Sequence, residues 1–144
     1  MTDRLRAVLD TNVFLSAFLS RNPTSPTKEI LQRWQDGEFV LLVSDTLAEE
    51  LVEKLLENRI HPDRVMEFMT LIARLAEWIS VPDDAVRPVI PGDSDDDSIL
   101  ACAVVGRADY LITYDGHFQP LGDSYAGVKI TKALPFLWAL RESR

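Results

Sequence analysis

The sequence predicts one α/β domain in which a central, mainly parallel β-sheet is flanked by helices on both faces. Short apolar segments alternate with amphipathic segments of helical period along the chain. Such alternation is typical of parallel sheets, because their strands are buried on both faces. The chain has 144 residues, 47% of them hydrophobic, which suits a single domain over residues 1–144 with a core of its own.

The first half of the chain is predicted to form two strands and three helices. Each strand is a five-residue, mostly apolar run, and each helix carries apolar residues three and four positions apart. The elements are the strand Leu5–Leu9, the helices Val13–Leu19 and Thr27–Asp36, the strand Phe39–Val43 and the helix Asp45–Asn58. Gly37 is expected to end the second helix, since glycine readily takes the left-handed conformation that closes a helix.

The second half continues the alternation. Asp63–Trp78 has apolar residues at helical spacing, a strand-like segment follows, and Asp83–Gly92, with two prolines, is predicted as a loop. The remaining elements are the helix Asp95–Ala108, the strands Tyr110–Thr113 and Val128–Ile130, and the helix Pro135–Arg141. The helix Asp95–Ala108 is almost wholly apolar after its first residues, so we expect it to be buried.

Composition excludes several classes of protein. The apolar runs are too short to cross a bilayer, and the N-terminal residues lack the apolar stretch of a secretory signal. Cys102 is the single cysteine, which rules out an internal disulfide. We therefore expect a reducing, cytoplasmic location and no membrane.

The net charge of −8 leaves two interpretations open. Proteins that bind nucleic acids usually present a basic surface. An acidic chain therefore either never meets a polyanion or holds cations that contact the phosphates. Net charge alone does not decide between them.

Two aspartates come just after predicted strands. Asp10 directly follows Leu5–Leu9, and Asp115 lies two residues beyond Tyr110–Thr113. Each has a purely structural interpretation, since Asp10 could cap the next helix and Asp115, before Gly116, could form a turn. The carboxyl ends of strands are nevertheless where α/β sheets bind their ligands.

The helix Asp45–Asn58 offers two neighbouring glutamates. At about 100° per residue, Glu49 points away from the leucine stripe of this helix, whereas Glu50 lies at the margin of the stripe. Glu49 is predicted to complete a capping box with Thr46. Glu50 is therefore the better candidate to face a cleft, although a solvent-exposed glutamate is the ordinary alternative.

The run Asp93–Asp97 places four aspartates at the start of the apolar helix. Acidic residues there complement the helix dipole, and Ser94 with Asp97 has the pattern of a capping box. Capping uses about two of the four carboxylates, and the crowded charges repel one another. The excess favours a metal site at this end of the helix, with Asp97 as the candidate.

The four acidic positions together suggest one chemistry. Hard oxygen ligands without a cluster of cysteine or histidine suit Mg²⁺ or Mn²⁺. Two such ions about 3.5–4 Å apart can activate a water molecule and stabilise the leaving oxygen of a phosphodiester. No Ser, Cys or His is placed for covalent catalysis, so we expect a metal-bound water as the nucleophile.

Four segments, in this order along the chain, resemble those of a known family. They are Val8–Val13, Leu47–Leu51, Asp97–Ala103 and Ala108–Asp115. The pattern resembles the PIN-domain ribonucleases over about residues 7–138, in particular the compact prokaryotic members of the VapC type, which are described as toxins of toxin–antitoxin pairs.

The resemblance implies a metal-dependent ribonuclease that cleaves single-stranded or structured RNA. It assigns the catalytic and metal-binding carboxylates, which are Asp10, Glu50, Asp97 and Asp115. Thr113 matches a hydroxyl residue that supports the site in many members, and Asn12 matches a residue near the first aspartate. An antitoxin partner and a homodimer are further expectations.

Three positions depart from the family pattern. The aspartate run leaves the register of the third carboxylate uncertain by one residue, so Asp96 could share the role of Asp97. Tyr114 stands where a smaller residue is frequent. His117 replaces an acidic residue, and we interpret it as a surface turn histidine rather than as a group that contacts phosphate or a metal-bound water.

Two other functions compete with the ribonuclease. A non-catalytic PIN-fold module that binds RNA or protein would keep the fold without turnover, but all four carboxylates are present. A phosphoacceptor domain of the receiver type also gathers aspartates at strand ends. That domain needs a lysine after a later strand, and Tyr110–Phe118 contains none.

Overall fold

The computed structural model describes residues 4–90 and 94–143. The strands are β1 Leu5–Leu9, β2 Phe39–Val43, β3 Glu77–Trp78, β4 Tyr110–Ile112, β5 Ser124–Tyr125 and β6 Val128–Thr131. The helices are α1 Thr11–Leu19, α2 Pro26–Gln35, α3 Asp45–Glu57, α4 Pro62–Leu75, α5 Ser94–Val105 and α6 Ala133–Glu142. Two 3₁₀ helices, Asp83–Ala85 and Gly116–Leu121, complete the described elements.

The strands form one sheet in the order β3-β2-β1-β4-β6-β5. Adjacent strands are parallel except β5, which pairs antiparallel with β6. The predicted fold class is confirmed: the chain is an α/β protein with a mainly parallel central sheet.

Alternate residues of β1 face two separate cores. Ala7 and Leu9 pack in the larger core with the apolar faces of α1, α2, α3, α4 and α6. Val8 points the other way and packs with α5, including Leu100 and Cys102. Both faces of the sheet are thus covered, which explains why the central strands are runs of apolar residues instead of alternating ones.

The prediction for Trp78 was wrong, because this residue lies in a strand and not in a helix. Helix α4 ends at Leu75, and Trp78 pairs with Val43 of β2. The helical spacing of apolar residues extends past the true helix end, and the two-residue strand is formed by pairing with a distant segment. Strand β5 was not predicted for the same reason.

The capping box predicted for Thr46 and Glu49 was also wrong. The N-cap of α3 is Ser44, whose hydroxyl accepts a hydrogen bond from the backbone N–H of Leu47. Glu49 therefore has no capping role and is exposed. The cap predicted for Ser94 and the end of the loop Asp83–Gly92 involve groups outside the described residues.

The topology creates a crevice at the carboxyl end of the sheet. From β1 the chain passes to β2 on one side, and β4 later pairs with the opposite side of β1. Sheets of this type bind ligands where the direction of winding switches in this way. The residues after β1 and β4 therefore face the same crevice. None of the described helices is both long and apolar enough to cross a bilayer.

Candidate metal centre

Asp10 is held at the base of the crevice by hydrogen bonds from three residues, Thr11, Asn12 and Thr113. Its Oδ1 accepts from the backbone N–H of Thr11 at 2.7 Å, as the N-cap of α1. Its Oδ2 accepts from the Thr113 hydroxyl at 2.7 Å and the Asn12 amide at 3.3 Å. The residue is only 3% exposed, so its carboxylate is a buried helix cap with a fixed orientation.

Asn12 and Thr113 tie the segment after β1 to the segment after β4. The Asn12 side-chain oxygen accepts from the backbone N–H of Tyr114 at 3.3 Å, and the Thr113 hydroxyl accepts from that of Asp115 at 2.9 Å. The structure thus places both predicted supporting residues in direct contact with Asp10 and beside Asp115.

Glu50 approaches Asp10 from helix α3. Its Oε1 accepts a hydrogen bond from the Thr11 hydroxyl at 3.3 Å. Its Oε2 is buried and has no hydrogen-bond partner among the described residues. A buried carboxylate oxygen without a donor is costly, and a bound cation would satisfy it. The donor set therefore fits a divalent metal.

One cavity of about 330 Å³ collects acidic side chains from four parts of the chain. The described residues that line it include Asp10, Glu50, Glu57, Asp95, Asp96 and Asp115, together with the basic residue Lys54. Three of the four predicted ligands thus line the same cavity; Asp10 and Asp115 come from the segments after β1 and β4, and Glu50 comes from α3. The fourth, Asp97, does not line it.

Asp97 lies against the loop that precedes α5. Its Oδ1 accepts from the backbone N–H groups of Val89 at 3.1 Å and Ile90 at 2.8 Å. It lines a different cavity, with Arg87 and Tyr125 among its neighbours. Consecutive helix residues point about 100° apart, so the phase that turns Asp97 toward the loop turns Asp96 toward the cleft.

Asp96 and Asp115 both contact His117, which was interpreted from the sequence as a surface turn histidine. His117 Nδ1 lies 3.1 Å from Asp96 Oδ2 and 3.3 Å from Asp115 Oδ1. One ligand atom from each of the three residues lies within 4.8 Å of the others, as required of groups that share a metal ion. The position of His117 two residues after Asp115 was the sequence feature that could have identified it.

Burial and nearby negative charges both raise the pKa of Asp10 and of Glu50. Burial raises the pKa of Asp10, and the nearby charge of Asp115 raises it further, against hydrogen bonds from Thr113 and Thr11. Burial also raises the pKa of Glu50, as do the charges of Asp95 and Asp10. Each shift disfavours the ionised form, which a cation in the cleft would favour again.

The raised pKa of Asp10 predicts a pH-dependent effect of Asp10→Asn. The folded state holds the Asp10 proton more tightly than the unfolded chain, so its stabilising contribution is present below the unfolded pKa and lost as pH rises through the folded pKa. In buffer with EDTA, the free energy of unfolding of the wild type minus that of Asp10→Asn should fall as the pH rises above the unfolded pKa of about 4. Urea titrations at several pH values measure this difference, and a difference that grows with pH would contradict the assigned burial.

Comparisons with known proteins agree with the observed fold. No curated protein sequence gave a significant match. VapBC2 from Rickettsia felis, solved bound to a DNA fragment from its promoter, aligns with a TM-score of 0.60 and 14% identity over 88% of this chain and 97% of that chain. VapC20 of Mycobacterium tuberculosis, a Sarcin-Ricin loop cleaving toxin, aligns with a TM-score of 0.57 and 16% identity over 85% and 98%.

Both alignments span almost the whole of the known chains, and at these identities they establish a shared fold. The family comparison adds membership, because the sequence model of the PIN domain matches residues 6–117, well over half of the chain. The chain belongs to the PIN domain family.

Proposed function

We propose that this protein is a Mg²⁺- or Mn²⁺-dependent endoribonuclease whose metal site is formed by Asp10, Glu50, Asp96 and Asp115. The observation that carries the proposal is the buried Glu50 Oε2, which has no partner among the described residues and lies in a cavity lined by acidic side chains. Membership of the PIN domain family supports a nuclease.

The proposal moves the third ligand from Asp97 to Asp96. Asp96 lines the acidic cavity, whereas Asp97 accepts two backbone hydrogen bonds outside it. Asp95 lines the same cavity and is placed to contribute a further oxygen or a charge. Asp97 instead holds the loop before α5 through these hydrogen bonds, and this contact helps to set the position of Asp96.

The surrounding residues orient the ligands and contribute charge. A divalent ion at these carboxylates would neutralise phosphate oxygens and generate the hydroxide that attacks the phosphodiester. Thr113 and Asn12 fix Asp10 by hydrogen bonds, and Thr11 orients Glu50. Lys54 is the basic residue among the described lining residues and is placed to attract the RNA backbone.

The biological role proposed is that of a toxin with an antitoxin partner. VapBC2 is named as a complex bound to promoter DNA, and VapC20 as a toxin that cleaves the Sarcin-Ricin loop. The names of these two proteins, together with the family, support an RNA substrate and a protein partner for this chain. We propose further that it forms a homodimer and acts in the cytoplasm. The alternative is a non-catalytic PIN-fold module that binds RNA or protein.

Metal titration separates these two functions. A cation that binds only the folded state at a hundredfold excess over Kd adds roughly 2.7 kcal/mol to stability, or roughly 5–10 °C in Tm for a chain of this size. We expect Mn²⁺ to raise Tm in this range relative to EDTA and to activate cleavage of single-stranded RNA. A rise in Tm without cleavage would favour the binding module. The absence of both effects would exclude the metal site.

A further inference from the structure

His117 departs from the all-carboxylate chemistry of the cleft. It lies on the 3₁₀ helix Gly116–Leu121, directly after the segment that carries Asp115. Its side chain is 57% exposed, while the Asp96 side chain it contacts is only 6% exposed. The imidazole therefore sits on the solvent side of the cleft, above a buried carboxylate.

We propose that His117 is a nitrogen ligand of the metal ion, so that this site binds first-row transition ions in preference to Mg²⁺. The inference rests on the proposed function, since it concerns the same cleft. It adds the ligand type and the metal selectivity that follows from it, neither of which the carboxylates specify.

The distances match those between neighbouring ligands of one ion. In a six-coordinate site with bonds of about 2.1 Å, adjacent donor atoms stand about 3.0 Å apart. His117 Nδ1 lies 3.1 Å from Asp96 Oδ2 and 3.3 Å from Asp115 Oδ1. A single ion can therefore reach all three atoms with little movement of the side chains.

Asp115 Oδ1 already accepts a hydrogen bond from the backbone N–H of His117 at 2.9 Å, so a hydrogen bond from Nδ1 would account for the contact with Asp96 Oδ2 alone. Nδ1 carries at most one proton, yet it faces two carboxylate oxygens at nearly equal distances. One proton cannot be well aligned with both acceptors at once. A cation at the centre of the three groups interacts favourably with all of them, with Nδ1 deprotonated and acting as a donor to the metal.

A nitrogen ligand changes which ion the site selects. Carboxylates and water suit Mg²⁺, whereas imidazole suits transition ions, whose affinities for mixed ligands rise along the first row. A cleft with Asp10, Glu50, Asp96 and Asp115 alone would not discriminate strongly against Mg²⁺. With His117 added, we expect the balance to move toward Mn²⁺ and later ions.

The chain provides a matched control, because it contains only two histidines. His61 caps helix α4, where its Nδ1 accepts from the backbone N–H of Asp63 at 3.1 Å. It does not belong to the group of described residues whose ligand atoms lie within 4.8 Å of one another, which is Asp96, Asp115 and His117. Any imidazole nitrogen detected on a metal in the cleft therefore comes from His117.

Pulsed EPR of the full chain loaded with Mn²⁺ tests the inference directly. We expect a ¹⁴N coupling on Mn²⁺ in the wild type and in His61→Ala, and its loss in His117→Ala. In His117→Asp, which restores an oxygen ligand, Mn²⁺ should still bind without the nitrogen coupling. The preference for Mn²⁺ over Mg²⁺, measured by competition titrations, should then fall by about tenfold, because imidazole favours transition ions and a carboxylate does not.

The outcomes distinguish this inference from the proposed function. Mn²⁺ binding to the wild type without a ¹⁴N coupling, or a coupling that persists in His117→Ala, would overturn the nitrogen ligand and leave the carboxylate site standing. Absence of Mn²⁺ binding in the wild type would overturn both.

Discussion

Glu50→Gln is expected to lower cleavage of single-stranded RNA by about a thousandfold while leaving the fold intact. The substitution keeps the shape of the side chain but removes the charge of a carboxylate whose Oε2 has no partner among the described residues. Loss of several kcal/mol of transition-state stabilisation by the metal site lowers the cleavage rate by about a thousandfold. Metal-free stability should stay the same or rise, because the pKa of Glu50 is raised by burial and by the charges of Asp95 and Asp10.

Glu49→Gln is the matched control for this experiment. Glu49 is the preceding residue of the same helix, is exposed and is not among the described residues lining the cavity. The Glu49→Gln variant should cleave RNA at the wild-type rate. If the protein acts as a toxin, induced expression should arrest growth for the wild type and Glu49→Gln but not for Glu50→Gln. Equal losses in both variants would place the metal site elsewhere.

Asp97→Ala is expected to cost about 3 kcal/mol or more of stability, with and without metal. Its Oδ1 accepts from the backbone N–H groups of Val89 and Ile90, and both bonds are to a charged acceptor. Each such bond contributes about 1.5–3 kcal/mol, and the alanine would leave the buried N–H of Ile90 unsatisfied. At about 2–4 °C per kcal/mol, Tm should fall by roughly 6 °C or more.

Asp96→Asn is the contrasting variant of the adjacent residue. It keeps the volume of a side chain that is equally buried but removes a charge beside Asp115. We expect little change in metal-free Tm, loss of the Mn²⁺-dependent rise, and loss of cleavage. Thermal melts in EDTA and in Mn²⁺ measure both variants. A metal-dependent defect in Asp97→Ala with none in Asp96→Asn would return the ligand role to Asp97.

The main strands could be predicted from sequence because each is a self-contained apolar run. Leu5–Leu9 and Phe39–Val43 were predicted with the bounds that the structure has. Burial on both faces of the sheet leaves no polar position in the middle of such a strand. The two-residue strand β3 has no such local pattern, because it exists only through its pairing with β2.

The acidic cleft could be anticipated only in part. Asp10 and Asp115 follow strands, and the topology alone brings strand ends together. Residues 95 to 97 are three consecutive aspartates, so the sequence alone cannot show which of them faces the cleft. That depends on the rotational phase of α5, which the buried face of the helix and the backbone at Val89 and Ile90 fix.

The contact of His117 with Asp96 was beyond local reasoning. The two residues are 21 positions apart and lie on different elements. The sequence predicted an exposed turn histidine; His117 is exposed, but it lies in the 3₁₀ helix Gly116–Leu121. The direction of its ring depends on where α5 begins, and that is a tertiary feature.

The central claim is that these carboxylates hydrolyse RNA through a metal-activated water. The most direct measurement is the analysis of the ends produced from a single-stranded RNA in Mn²⁺ and in EDTA. Attack by a metal-bound water predicts 5′-phosphate and 3′-hydroxyl ends in Mn²⁺ and no cleavage in EDTA. Ends with a 2′,3′-cyclic phosphate, or cleavage that persists in EDTA, would contradict it.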